Sequence, residues 1–320
     1  LSSLRRAKFT VVDLFAGAGG ISEGFRQAGF AVIAGADSDP DAMATYARNF
    51  PEARAIVGDI RAAAIAEEIL DAARHATVLV GGPPCQAFSQ VRNHTRVIDD
   101  PRNSLYREFV AVLRQSVPPA FVMENVTGME QMRVREQIAA DLALDGEYVV
   151  RSQVVDAADF GVPQTRRRLL FVGVHASSGM EPPTLAGSSV TDSVALVRFT
   201  GSRRPRYQLV VQQNLLSMRL GEALKDPESL AAVTAADAIS DLAVLRMGNR
   251  SDSIPYGELG APTSAYQRLM RAGNGDCLAN VQVPRINRDT EMRLGGIPQG
   301  GNHRDLCDEL LERYITGFTR

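Results

Sequence analysis

The chain has 320 residues, of which 45% are hydrophobic and 22% charged, with three cysteines and a net charge of −2. Those values suit an ordinary soluble globular protein with room for one large or two unequal domains. They exclude a disulfide-stapled scaffold, a bilayer-spanning chain and a nucleic-acid binder held by overall charge.

The three widely spaced cysteines argue for a reducing compartment, so a cytoplasmic location is expected. No secretory pattern opens the chain, and Leu1 reads as a processed or trimmed amino end. Residues 9–16 predict a buried strand, and Gly17-Ala18-Gly19-Gly20 a tight turn into a helix from Ile21 to Ala28, stopped by Gly29. The glycine spacing does not match G-x-G-x-x-G, and no Gly-Lys-Ser/Thr follows, so neither a dinucleotide fingerprint nor a P-loop is present. Asp13, inside the strand, would repel a phosphate and attract an amino or sulfonium cation; the alternative is that it caps the glycine turn.

A second strand, Ala31 to Ala36, ends in Asp37-Ser38-Asp39, where an acid can accept hydrogen bonds from ribose hydroxyls. A helix follows from Pro40 to Asn49. Residues 55–60 predict a third strand ending in Asp59-Ile60, suited to the exocyclic amine of adenine. Each acid alone reads as a helix cap; three at successive strand ends predict a nucleoside pocket.

An alanine-rich helix spans residues 62–74, and a fourth strand Thr77 to Val80. Then comes Gly81-Gly82-Pro83-Pro84-Cys85-Gln86-Ala87-Phe88-Ser89. Two prolines fix the backbone before a cysteine at a strand's carboxyl end, which suits a nucleophile. Gln90 to Arg102 is polar and reads as a functional loop. A helix from Asn103 to Val117 precedes a fifth strand, Ala120 to Met123, that delivers Glu124-Asn125-Val126. Strands from Glu147 to Val155 and from Leu169 to Val174 flank Gln164-Thr165-Arg166-Arg167-Arg168. Residues alternate faces in a strand, so at least one of those arginines must point inward at an acid or anion.

After His175 the composition shifts to Ser, Thr, Gly and Pro, a boundary or loop through residue 205. Arg198, Arg203, Arg204 and Arg206 with Tyr207 form a modest basic patch able to meet phosphates, with a solvated loop as the equal alternative. Residues 208–246 read as helical in pieces, Tyr266 to Arg271 as a short helix, and Asp305 to Tyr314 as amphipathic. Cys277, Cys307 and His303 are too few for a metal site, and none is expected.

In their order, Asp13-Leu-Phe-Ala-Gly-Ala-Gly-Gly20, Pro83-Pro84-Cys85-Gln86, Glu124-Asn125-Val126 and Gln164-Thr-Arg-Arg-Arg168 resemble the cytosine C5 DNA methyltransferase family. The likeness covers about residues 9–174. It implies an α/β fold: a doubly wound, mostly parallel sheet of the S-adenosylmethionine-dependent type. Residues 1–175 would be the catalytic domain and 176–320 a hinge and partial, irregular target-recognition region. It assigns catalysis to Cys85, Glu124, Arg166 and Arg168. Cys85 would add to C6 of a flipped cytosine, Glu124 would hold or protonate N3, and the arginines would bind the base carbonyl. S-adenosylmethionine would be held by Asp13, Phe15, Ala16, Gly17, Gly19, Gly20, Asp37, Ser38, Asp59, Ile60 and Pro83. The substrate would meet Pro84, Gln86, Ser89, Asn125, Val126 and Gln164.

The implied partner is double-stranded DNA, in a prokaryotic restriction-modification or epigenetic setting, with no membrane. A transfer RNA branch of the same family is the alternative. The resemblance also implies an Arg-Leu-Gln-x-Phe-Pro segment and a final Gly-Asn-x-Val segment, neither of which is found. Asn302-His303-Arg304-Asp305-Leu306 is similar to what precedes them. The expectation is that a second chain supplies the remainder, or that it lies outside these residues.

Overall fold

A computed structural model describes residues 9–84, 104–127, 134–187, 233–272, 275–297 and 306–307, with the backbone alone of 193–198 and 207–212. Two compact units emerge. One joins Leu1–Asp156 to Arg166–Ala186, and the other joins Ala157–Thr165 to Gly187–Arg320.

The first unit alternates strands and helices: β1 Thr10–Leu14, α1 Gly20–Gln27, β2 Ala31–Asp37, α2 Pro40–Asn49, β3 Arg54–Val57, α3 Ala63–Ala73, β4 Val78–Gly81, α4 Ser104–Ser116, β5 Ala120–Val126, α5 Val134–Ala143, β6 Tyr148–Asp156 and β7 Arg167–His175. Its seven strands lie in the order β3-β2-β1-β4-β5-β7-β6. The first five are parallel, and β7 runs antiparallel between β5 and β6. Strand order reverses between β1 and β4, so the crevice at their carboxyl ends is where such sheets bind ligands.

Both faces of the central strands are covered, as a parallel sheet requires. Alternation along the chain divides them. Val12, Leu14 and Leu79 join Ile69 of α3 and Phe109 and Leu113 of α4 on one side. Val11, Val78 and Val80 meet Ile21 and Phe25 of α1 on the other. Helix ends follow their residues: Asp39 caps α2 by accepting from the backbone of Asp41 and Ala42, and Pro40 fills the first turn.

Several predicted bounds move. β1 stops at Leu14 because Phe15 takes a left-handed φ of 59°. β3 ends at Val57, where Gly58 turns the chain at φ 153°, so Asp59 and Ile60 lie beyond it. The last strand, β6, forms one edge of the sheet, and a strap lies against it. Arg151 Nε donates to Pro182 O at 2.9 Å, and Arg151 Nη1 to Thr184 Oγ1 at 3.2 Å. Gln153 donates to Leu185 O at 2.6 Å and accepts from Leu185 N at 2.9 Å.

The second unit corrects two expectations. Residues 193–198, read as loop, are strand β8 (Ser193–Arg198), paired antiparallel with β9 (Tyr207–Gln212) at the start of the stretch read as helical. Short β-branched runs, with Val194 and Val197 in one strand and Val210 and Val211 in the other, favour that pairing over a helix. Within 233–246 the helical pieces shrink to α6 Ala235–Ile239 and a 3₁₀ turn, Ser240–Val244. Further on come β10 Ser253–Pro255, α7 Tyr256–Leu259, α8 Ala265–Arg271, β11 Cys277–Ala279 and α9 Arg288–Gly295. Its described interior sets polar contacts beside the buried Leu259, Val281 and Leu306. Gln267 accepts from Thr263 N at 2.8 Å and donates to Ser240 Oγ at 2.9 Å. Arg271 pairs with Asp241 at 2.6 Å, both largely covered, and its guanidinium lies 5.1 Å from the Tyr256 ring centre.

Candidate active site

At the carboxyl ends of β1 to β4 the chain leaves a cavity of about 270 Å³, lined by Phe15, Ala36, Asp37, Ser38, Gly58, Asp59, Ile60, Arg61, Ile69, Gly82, Pro84 and Leu105. Five residues expected at the cofactor, Phe15, Asp37, Ser38, Asp59 and Ile60, share this wall, joined by Pro84 from the expected substrate set. Ala36, Gly58, Arg61, Ile69, Gly82 and Leu105 are additions. Among them, Arg61 had a readable signal: an arginine two residues after a strand-end carboxylate.

The glycine turn is fixed by its neighbours. Ala16 N–H donates to Ala36 O at 3.0 Å, and Gly17 N–H to Asp37 Oδ2 at 2.9 Å. Gly17 and Gly19 sit at φ 54° and 98°, which side chains disfavour, and Gly20 begins α1. Asp37 thus holds the turn while its side chain faces the cavity. Arg61 grips Asp59, with Nη2 2.5 Å from Oδ2 and Nε 2.9 Å from Oδ1, and that hydrogen-bonded cation lowers the Asp59 carboxyl to about 2.

Asp13 does not line this cavity. It is fully buried, and its Oδ2 accepts from Ser22 N at 3.1 Å and Ser22 Oγ at 2.7 Å. Gly19 stands at the cap position of α1 with no side chain to offer, so Asp13 satisfies the helix's free N–H instead. The expected cation contact gives way to the capping alternative, because both hydrogen bonds that this carboxylate makes among the described residues run under the turn to Ser22. Burial raises its carboxyl to about 7, against the lowering effect of the Ser22 bonds, with the nearby Asp37 charge adding to the rise.

Beyond the cavity, β5 and β7 present an acid and a base. Their register sets Val126 opposite Arg168, and Arg168 Nε reaches Glu124 Oε1 at 2.6 Å, both about a quarter exposed at 23% and 30%. A Cβ built on Gly82 would fall 3.1 Å from Glu124 Oε2, so the end of β4 runs close against this pair. Asn125, expected at the substrate, is instead buried. It donates through Nδ2 to Pro83 O at 3.2 Å and accepts from Val126 N at 2.8 Å. It ties the turn after β4 to β5, and Pro83 is likewise covered. Arg166 stands apart from Glu124's partner: it is exposed, its backbone N–H donating to Asp156 Oδ1 at 2.9 Å. Val126 is half-buried, and Gln164 belongs to the second unit. Cys85, Gln86 and Ser89 lie outside the described residues.

The wall fits an adenosine-type cation. Two carboxylates against one guanidinium leave it net acidic; Asp37 can accept from hydroxyls; Phe15, Ile60, Ile69 and Leu105 offer apolar sides to a ring. Among the described residues no helix is long and apolar enough to cross a membrane.

Comparison with known proteins agrees with the geometry. The profile of the C-5 cytosine-specific DNA methylase family matches residues 9–233. The chain is 32% identical over 312 residues to the Type II methyltransferase M.AgeI of Thalassovita gelatinovora, covering 96% of this chain and 66% of that one. It is 40% identical over 170 residues to M1.HphI of Haemophilus parahaemolyticus, covering 51% of this chain and 45% of that one. It is 38% identical over 177 residues to M.AquIA of Picosynechococcus sp., covering 51% of this chain and 71% of that one. Against M.AgeI and M1.HphI the chain spans less than two thirds of the relative's length. The donor that this family uses is S-adenosylmethionine. From the sheet, the cavity and the matching profile together, the chain belongs to the C-5 cytosine-specific DNA methylase family.

Proposed function

We propose that the chain is the catalytic portion of a Type II DNA cytosine-5 methyltransferase that acts on duplex DNA in the prokaryotic cytoplasm. The observation that carries this reading is the Glu124–Arg168 pair, 2.6 Å across, set against the end of β4 that leads to Cys85.

Asp37 would take ribose hydroxyls and Asp59, steadied by Arg61, the ring amine, with Phe15 and Ile60 against the ring. When bound, S-adenosylmethionine supplies an electrophilic methyl group. The base must leave the stack to reach the site, at a cost of a few kcal/mol. The Cys85 thiolate forms a bond to C6 of the cytosine, and the displaced electron pair moves to C5. Glu124 holds a proton at N3, which makes the ring a better acceptor, and Arg168 donates to the base carbonyl. The methyl group would pass to C5 as its bond to the donor's sulfonium breaks, the donor leaving as a neutral thioether. Loss of the C5 proton to a base would then let the C6–sulfur bond break, returning the Cys85 thiolate and releasing 5-methylcytosine. Arg166, exposed here, would act with Arg168 only after rearranging. Asn125 positions the turn before Cys85 rather than touching the base.

Incubation with a 5-fluorocytosine duplex and S-adenosylmethionine tests the reading. The chain should form a denaturant-stable adduct, and Cys85→Ser should form none. Absence of an adduct with every duplex sequence in a randomised pool, both for the chain alone and for the chain together with its co-purifying partner, would overturn it. A second chain carrying a Gly-Asn-x-Val segment is the further partner proposed, to be sought by co-purification. Full methyl transfer by the 320-residue chain alone would remove the need for it.

A further inference from the structure

The turn from Phe15 to Gly19 is bracketed by a buried chain of polar groups that never reaches the cavity. Asp13 precedes the turn and Ser22 follows it, and their two hydrogen bonds close the loop between them. The chain continues into α2, where Ser22 Oγ and Tyr46 Oη share a hydrogen bond at 3.0 Å. Tyr46 is fully buried, so its hydroxyl has no water to fall back on.

The ring below that hydroxyl acts as a wedge. A Cβ on Gly35 of β2 would lie 2.2 Å from Tyr46 Cζ, and one on Gly19 would lie 3.1 Å from Tyr46 Cδ2. The second strand and the glycine turn therefore both rest on this one side chain, with Phe50 packed beside it at 4.8 Å between ring centres. Two residues beyond Gly35 is Asp37, which accepts from Gly17 N–H and faces the cavity. Asp13 Oδ1 is buried with no hydrogen-bond partner among the described residues, so Ser22 carries all of that carboxyl's ties.

We propose that Tyr46, acting through Ser22 and Asp13, is a positioning residue that sets the height and rigidity of the cofactor turn without touching the cofactor. Its hydroxyl fixes Ser22 and its ring fixes Gly19 and Gly35, so the backbone of residues 15–19 meets the ligand already arranged. The binding part of this inference rests on the proposed S-adenosylmethionine site; the rigidity part does not.

The test compares Tyr46→Phe with Tyr148→Phe in the full chain. Tyr148 is buried to a similar degree and donates to Pro118 O at 2.7 Å, far in sequence from the turn, so its variant controls for the loss of one buried hydroxyl bond. Amide hydrogen exchange without ligand is read first. Residues 15–22 should exchange roughly five- to tenfold faster in Tyr46→Phe and at the parent rate in Tyr148→Phe. Calorimetric titration with S-adenosylmethionine is read second. Tyr46→Phe should bind roughly fivefold weaker, and Tyr148→Phe as the parent. Equal exchange at residues 15–22 in the two variants overturns the inference, as does unchanged affinity in Tyr46→Phe. A parent chain that fails to bind S-adenosylmethionine counts against the proposed function, while the exchange comparison still decides whether Tyr46 holds the turn.

Discussion

Asp13 is a carboxyl that folding makes more basic. Its value rises from the ordinary 3.8 to about 7 because the fold denies water to the charged form. The unfolded chain deprotonates it near pH 4 while the folded chain keeps the proton, so its contribution to stability is full below about pH 4. That contribution is lost as pH climbs through about 7. Asp13→Asn keeps an acceptor for Ser22 and cannot ionise. Urea unfolding should show the parent losing on the order of 4 kcal/mol relative to Asp13→Asn between pH 4 and pH 8. Parallel stability curves for the two would refute the assignment. Asp37 serves two structures at once: it holds Gly17 N–H and Asp39 N–H at 2.9 and 3.0 Å and also borders the cavity. Asp37→Ala should weaken S-adenosylmethionine binding on the order of tenfold by titration calorimetry, since hydrogen bonds to a charged acceptor are the stronger kind.

At the scale of elements, the glycine turn is the least tolerant piece. Gly19 sits at φ 98°, and a Cβ there would be 2.2 Å from Phe50 Cε2. Gly19→Ala should cost at least about 2 kcal/mol, from left-handed strain alone plus the displaced ring, read as a lowered thermal midpoint. The elements themselves were legible in the residues. Runs such as Thr77 to Val80 and Ala120 to Met123, bounded by glycine or proline, could only be buried strands, and the structure places strands there. Strand order was not written in any local pattern; nor was the antiparallel insertion of β7, which depends on distant pairing. The acids at the ends of β2 and β3 were visible as a set because their positions repeat. The residues left Asp13 between a cation contact and a cap, because periodicity tells that a residue lies in a strand, not whether its side chain turns toward a ligand or under a helix. Tyr46 was hidden outright: a tyrosine on the buried face of α2 reads as core until its hydroxyl is seen to meet Ser22. The strand pair β8–β9 was missed because its apolar runs, Val194 to Val197 and Leu209 to Val211, are short and sit in a sequence otherwise rich in Ser, Thr, Gly and Arg, and its pairing is between segments rather than within either.

At the scale of the molecule, the two units are stabilised differently. The first buries an apolar core on both sides of its sheet. The described part of the second buries few apolar side chains, Leu259, Val281 and Leu306, and carries a covered ion pair, Arg271 with Asp241, whose side chains are 13% and 9% exposed. Removing one partner of such a pair strands the other charge, so Arg271→Ala should destabilise that unit by about 3 kcal/mol. Limited proteolysis should then cut within residues 233–297 of the variant while leaving the sheet protected; an unchanged cleavage pattern would refute this. The strap against β6 has a practical corollary for anyone shortening this chain. A fragment ending at His175 would strip away the segment gripped by Arg151 and Gln153 and leave the outermost strand bare, and uncovered strand edges recruit one another. Light scattering should find such a fragment self-associating with time, while one extended to Ala186 stays monodisperse.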